Sequence, residues 1–241
     1  MNGRPVVSSF AALIDRLDWT GIAAQLDSEG HAVLTGLIEP AMADDLPRQT
    51  ERWAASRRES LASSGLGRGE LFYFDESLPA PWASLRLALY RKLAPIANRW
   101  NEYVEVADRY PDELADFQQR NRQAGQVRPQ SHLNHLRADD YIALHQRTEG
   151  VHVFPLQVVA LLSEPGKDFR GGEFVMTEQR PRMQSRPMVL PLGLGDVAII
   201  GTAQRPFKGT RGYYRVNLRH AISRVRDGER IGVELSFHDA P

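Results

Sequence analysis

Beyond about residue 130 the chain changes texture, and that change constrains its fold more than any other feature. Helical periodicity gives way to short runs rich in β-branched and aromatic residues: YIALH, FPLQVVALL, GEFVMTE, MVLPL, DVAIIGT, YYRVNLRH and RIGVELSF. Turn residues bound each run, which is the signature of strands rather than buried helix. Seven such runs at short spacing, with the helical segments collected upstream, predict an antiparallel sandwich or barrel carried on an N-terminal helical layer.

The upstream half supplies that layer. Ser8 and Ser9 precede Phe10, Leu13, Ile14 and Leu17, an i, i+3, i+4, i+7 stripe with a plausible cap. A second short helix starts near Thr20 and ends at Gly30, HAVLTGLI from His31 reads as extended, and Glu39-Pro40 opens a helical stretch through Trp53. Residues 56–69, rich in serine and glycine, read as an exposed loop with the character of a lid. After the strand-like ELFYFD, the apolar positions Trp82, Leu85, Leu87, Leu89, Leu93 and Ile96 predict a long helix, and a further one runs from Asp112 to near Gly125. One domain over residues 1–241 is expected, with 1–125 as helical support and early strands and 126–241 as the β core.

Composition removes several chemistries. With no cysteine there are no disulfides, thiolate zinc sites or cysteine nucleophiles, so a metal must be held by nitrogen and oxygen. No window approaches the roughly 18 apolar residues of a membrane span. The start, MNGRPVVSSFAALIDRLDW, has neither an unbroken apolar core nor a cleavage site, which predicts a cytoplasmic protein. Net charge is zero, yet residues 165–241 hold 13 Lys+Arg against 8 Asp+Glu. An excess of that size suits an anionic partner such as nucleic acid and equally suits solvated strand faces. Arg180, Arg182 and Arg186 crowd between two strands and read as a solvated hairpin tied by Glu173 and Glu178, with phosphate contact as the functional alternative.

Two histidines carry the chemistry. His145 ends YIALH and His220 ends YYRVNLRH, each finishing an apolar run far from the other in sequence. Each alone is an ordinary strand-end histidine. The segment after His220, HAISRVRDGERIGVELSF, changes that balance. It places Arg230 on a strand returning after a turn at Asp227-Gly228, where a guanidinium fork can pair with a carboxylate.

HAISRVRDGER resembles the second-histidine region of the prolyl-hydroxylase-like iron(II) and 2-oxoglutarate oxygenases. The stretch from LHQ through FPLQVVALLSEPGKDFRGGEFVMTEQRPRMQSR to LGDVAII is similar to a bacterial branch of that superfamily sometimes described as acting on damaged nucleic acid. NHLRADDYIALHQ also resembles the alkylated-DNA repair dioxygenases. The resemblance covers about residues 125–240. It implies a double-stranded β-helix (jelly-roll) core, Fe(II) on His145 and His220, and 2-oxoglutarate with its distal carboxylate on Arg230. By the same analogy Asn134 and Tyr141 are co-substrate contacts. The substrate would be a small molecule or a modified macromolecule, to be hydroxylated or oxidatively demethylated.

One position departs from the pattern. The superfamily places Asp or Glu two residues after the first histidine, and this chain has Arg147, which stays protonated and cannot ligate iron. Four readings follow. Glu149, on the same face as His145 if the strand continues, supplies the missing oxygen. Alternatively two histidines and 2-oxoglutarate hold the iron, with water or an anion in the vacant position, as in halogenating relatives. His152 is a recruited ligand in a third reading. In the fourth, Arg147 partly replaces the ion electrostatically, leaving a non-catalytic binding or interaction module.

Overall fold

The computed structural model describes residues 10–39, 42–43 and 57–241. The elements in order are α1 (Phe10–Asp15), α2 (Trp19–Glu29), β1 (His31–Leu34), β2 (Arg57–Ser60), β3 (Gly67–Arg68), β4 (Glu70–Tyr73), α3 (Ala80–Tyr103) and α4 (Leu114–Gln123). The strands β5 (His132–Arg137), β6 (Tyr141–His145), β7 (Leu156–Leu161), β8 (Phe169–Gly171), β9 (Phe174–Gln179) and β10 (Arg186–Leu190) follow. The chain closes with β11 (Val197–Gly201), β12 (Gln204–Gly209), β13 (Gly212–Ile222) and β14 (Val225–Leu235). All seven expected strands form. The expected cap at Ser8 and Ser9, and most of the helix expected from Glu39 through Trp53, lie outside the described residues.

Two antiparallel sheets make the jelly roll that the resemblance implies. The larger runs β1-β11-β7-β14-β5-β4-β2 with β8 on β14, and the smaller runs β10-β9-β13-β6-β3 with β12 on β13. Strand alternation sorts the side chains of the large sheet into two cores. Leu133, Val158, Ala160, Val197, Ile199, Val233 and Leu235 face outward and pack with Trp82, Leu85, Leu89, Leu93 and Trp100 of α3. Val159, Leu161, Ala198 and Ile200 face inward, toward Phe174, Met176, Leu218 and Ile222 of the small sheet. The long helix therefore exists because its apolar stripe has a sheet face to cover. Among the described residues no helix is long and apolar enough to cross a membrane.

Two local expectations are corrected. The segment read as an exposed loop over 56–69 contains β2, paired with β4, and β3, paired with β6, and Leu61 between them is 1% exposed. Its one large apolar side chain before the turn reaches the inner core and ties the segment down. Asp227-Gly228 is not the turn after His220; it lies inside β14, opposite β8, at a register shift between Val225 and Asp227. Gly228 has φ +77°, and a Cβ there would lie 2.0 Å from the Asp168 carbonyl oxygen, so the glycine makes a bulge against a close strand.

Candidate metal and co-substrate site

The inner wall at one place in the barrel is polar. His220 on β13 is the register partner of His145 on β6, and their ring centroids are 4.2 Å apart. The pairing shifts between His220 and Ile222, which lets Ile142 and His145, three residues apart, both point inward. Phe174 stacks on His220 with centroids 5.9 Å apart. Glu234 enters from β14, and one ligand atom from each of His145, His220 and Glu234 lies within 4.8 Å of the others. All three are buried.

The protonation pattern suits coordination. His145 Nδ1 donates to the Ala143 carbonyl at 2.9 Å, which leaves Nε2 as a lone-pair donor without a partner. Burial, with His220 alongside, pushes the His145 imidazole down to about 3, so it is neutral at neutral pH. Gln157 Nε2 lies 3.1 Å from His220 Nε2, and Glu234 Oε2 is 3.6 Å from the same nitrogen. Burial alone would raise the Glu234 carboxyl, but His132, His220 and Arg147 outweigh it and hold the group well below the usual carboxylate range. Neither Glu234 oxygen has a hydrogen-bond partner among the described residues. A buried carboxylate without donors is a costly arrangement unless a cation faces it.

A permanent cation does face it. Arg147 is 6% exposed, with Nε 3.8 Å from Glu234 Oε2 and Nη2 3.4 Å from His132 Nε2. His132, the register partner of Glu234, is fully buried and pushed down to about 4, chiefly by burial. Its Nδ1 bonds the Gln130 carbonyl at 2.9 Å, which turns Nε2 toward the site.

Further along the same inner face of β14, Arg230 is 3% exposed, its Nε donating to the Gly172 carbonyl at 2.8 Å and its Nη1 to Asn134 Oδ1 at 3.0 Å. A Cβ at Gly172 would sit 2.9 Å from Arg230 Cδ, and one at Gly232 3.0 Å from Nη1, so the two glycines make the slot. No carboxylate pairs with this guanidinium among the described residues, and burial pushes it down to about 10. Arg230 lines a cavity of about 1100 Å³ together with Leu161, Phe169, Phe174, Leu190 and Leu192. The metal-type cluster does not line that cavity; Phe174, which touches both, stands between them.

The structure thus brings together His145, His220, Arg230, Asn134 and Arg147 from the residues singled out in the sequence. It does not bring in Glu149, which is exposed beyond the end of β6, because the strand stops at His145 and the chain turns outward. Tyr141 is 43% exposed beside Arg68 of β3, on the outer side of the small sheet. His152 is not part of the cluster of His145, His220 and Glu234; it lies in the segment between β6 and β7, its backbone N–H donating to Gln126 Oε1 at 2.7 Å. Glu234, His132 and Gln157 are site residues that sequence reasoning missed. A signal for Glu234 existed: on a regular strand, residues 230, 232 and 234 share a face, so an inward Arg230 implies an inward Glu234. The basic hairpin is held as expected at Arg180, 3.1 Å from Glu178, whereas Arg186 pairs with Glu29 and Glu173 accepts from Ser223.

Comparison with known proteins bears on this geometry. Residues 69–240 match the Oxygenase-NA family model, described as an oxygenase catalysing oxidative methylation of damaged DNA. An uncharacterized protein of Mycobacterium tuberculosis, present in two strains, is 42% identical over 156 residues, covering 65% of this chain and 67% of its own length. Among solved structures, a Pseudomonas putida prolyl-4-hydroxylase matches with TM-score 0.55 at 10% identity, over 92% of this chain and 99% of that one. The 2-oxoglutarate-dependent epimerase SnoN of nogalamycin biosynthesis matches with TM-score 0.54 at 13% identity, over 90% of this chain and 80% of its own. At such identities the solved structures share the fold.

Proposed function

Because the chain belongs to the Oxygenase-NA family, we propose that it is an iron(II)- and 2-oxoglutarate-dependent oxygenase whose metal carboxylate is Glu234. His145 and His220 are the two imidazole ligands, and Arg230, oriented by Asn134, takes the distal carboxylate of 2-oxoglutarate. The observation that carries this reading is the buried convergence of two histidines and one carboxylate, with His145 Nε2 and both Glu234 oxygens lacking any hydrogen bond among the described residues. Two imidazoles and one carboxylate are the donor set of the non-haem iron oxygenases. Bound there, iron with 2-oxoglutarate and dioxygen would supply oxidation of a C–H bond.

The protein's own groups prepare that chemistry. Burial keeps His145 neutral, as a ligand must be. Arg230 offers a dehydrated cation without a counter-charge, which a dicarboxylate neutralises at lower cost than water would. The family's description suggests damaged DNA as the substrate, and the basic excess of residues 165–241 supports a polyanion. Salt-dependent anisotropy with single-stranded DNA tests that part: affinity that ignores ionic strength would argue for a small-molecule substrate.

Anaerobic titration with iron(II) and 2-oxoglutarate tests the site. We expect a metal-to-ligand absorption band that Glu234→Gln removes and Glu149→Gln leaves in place; the reverse pattern would return the carboxylate role to Glu149. A second reading, a non-catalytic binding module, draws on the Arg147–Glu234 contact at 3.8 Å. It gains if the folded native protein gives no band and 2-oxoglutarate still binds.

A further inference from the structure

We infer that Arg147 is a built-in counter-ion of this site, which neutralises Glu234 in the metal-free protein and competes with a divalent cation for that carboxylate. The inference rests on Glu234 being a ligand. Arg147 enters from the residue pair after β6, directly beyond His145, and its guanidinium lies between Glu234 and His132.

Neither charge is tenable there alone. Arg147 and Glu234 are 6% and 4% exposed, and isolating either one would leave an uncompensated buried ion. The other groups that face Glu234 are engaged: His132 Nε2 lies 3.4 Å from Arg147 Nη2, His220 Nε2 lies 3.1 Å from Gln157 Nε2, and Arg230 is committed to Gly172 and Asn134. A guanidinium does not deprotonate in this range, so its charge persists whatever else binds.

The contact is close without being locked. Among the described residues Arg147 Nε makes no hydrogen bond, and neither do the two Glu234 oxygens, although Nε and Oε2 are 3.8 Å apart. Charge is balanced while the carboxylate's lone pairs stay free. A carboxylate tied by a bidentate arginine fork would have none to give. Arg147 therefore holds Glu234 at the two imidazoles in a form that a cation can still capture, while its own charge opposes that cation. Arg147 acts through Glu234 and is a positioning residue.

The test uses the full chain and cobalt(II), a redox-stable probe with its own visible absorption. Arg147→Met should lower the metal-free melting temperature, tighten cobalt binding by about tenfold or more through loss of like-charge repulsion, and enlarge the cobalt-induced rise in melting temperature. Arg147→Lys should fall between native and Arg147→Met in affinity, and serves if Arg147→Met does not fold. The neutral pair Arg147→Met with Glu234→Gln should melt near the native temperature and bind cobalt no better than native. Cobalt binding by Arg147→Met that is unchanged or weaker, while Glu234→Gln loses it, overturns the counter-ion role alone. Native-like cobalt affinity in Glu234→Gln overturns the ligand assignment beneath it.

Discussion

The β11–β7 half of the large sheet and its β14–β5 half share one outer face and differ on the inner one. In β7 and β11 every residue is buried and all but Gln157 and Gly201 are apolar, because α3 covers one side and the small sheet the other. In β5 and β14 the outward Leu133, Val233 and Leu235 join the same outer core, while the inward positions include His132, Asn134, Arg230 and Glu234, with Leu136 and Val225 as the inward apolar residues. The molecule concentrates its burial energy in one half and places its buried polar groups in the other. Such groups are a cost unless a ligand or partner satisfies them.

That contrast can be broken most forcefully in the apolar half. Ile199→Ala, a fully buried site against the helical layer, should cost about 2–5 kcal/mol in denaturant unfolding, with co-substrate affinity of the folded fraction unchanged. A large loss of affinity at constant stability would refute the division of labour.

Acid should reveal the polar half. His132, His145 and His238 are pushed down to about 4, about 3 and about 4, chiefly by burial. The unfolded chain takes up protons near the ordinary histidine value while the folded one does not, so stability is full above about pH 6.5 and declines as pH falls toward 4. Each of the three contributes on the order of 3 kcal/mol over that fall, since one pKa unit corresponds to about 1.4 kcal/mol. Melting temperatures from pH 7.5 to 4.5 check this; a flat profile would mean these imidazoles are not buried neutral.

Arg230→Leu separates stability from binding. Replacing a buried guanidinium that has hydrogen bonds to Gly172 and Asn134 but no counter-charge with an apolar side chain should leave folding little changed, while 2-oxoglutarate affinity drops about a hundredfold, or about 2.7 kcal/mol. Calorimetric titration beside a melting curve reads both, and parallel loss would make Arg230 structural. The smallest effect belongs outside the barrel: Tyr141→Phe, at an exposed position, should shift 2-oxoglutarate affinity by less than about 0.5 kcal/mol. A larger change would bring Tyr141 back into the site.

An antiparallel sandwich or barrel and its helical layer were legible in the amino-acid sequence because each rests on local pattern, whereas the jelly roll and the role of the two histidines came from the resemblance of the segments around them. Period-2 apolar runs mark strands whichever partner they find, and the stripe from Trp82 to Ile96 marks a helix that needs a sheet. β5 escaped that reading for a physical reason: HLNHLR carries His132 and Asn134 inward where it lines the site, Leu136 as the inward apolar residue and His135 on the other face, and so lacks the alternation that identifies a strand. The replacement of the expected carboxylate by Arg147 was equally plain in the sequence, and its meaning was not. Glu149 is a candidate in the sequence because it is near His145 along the chain, whereas Glu234 is near His145 only after β14 pairs with β5 and β7 and the two sheets close. Which carboxylate faces the histidines, and that it arrives together with an arginine, depends on pairing register across long sequence separations, and register is set by packing of the whole barrel.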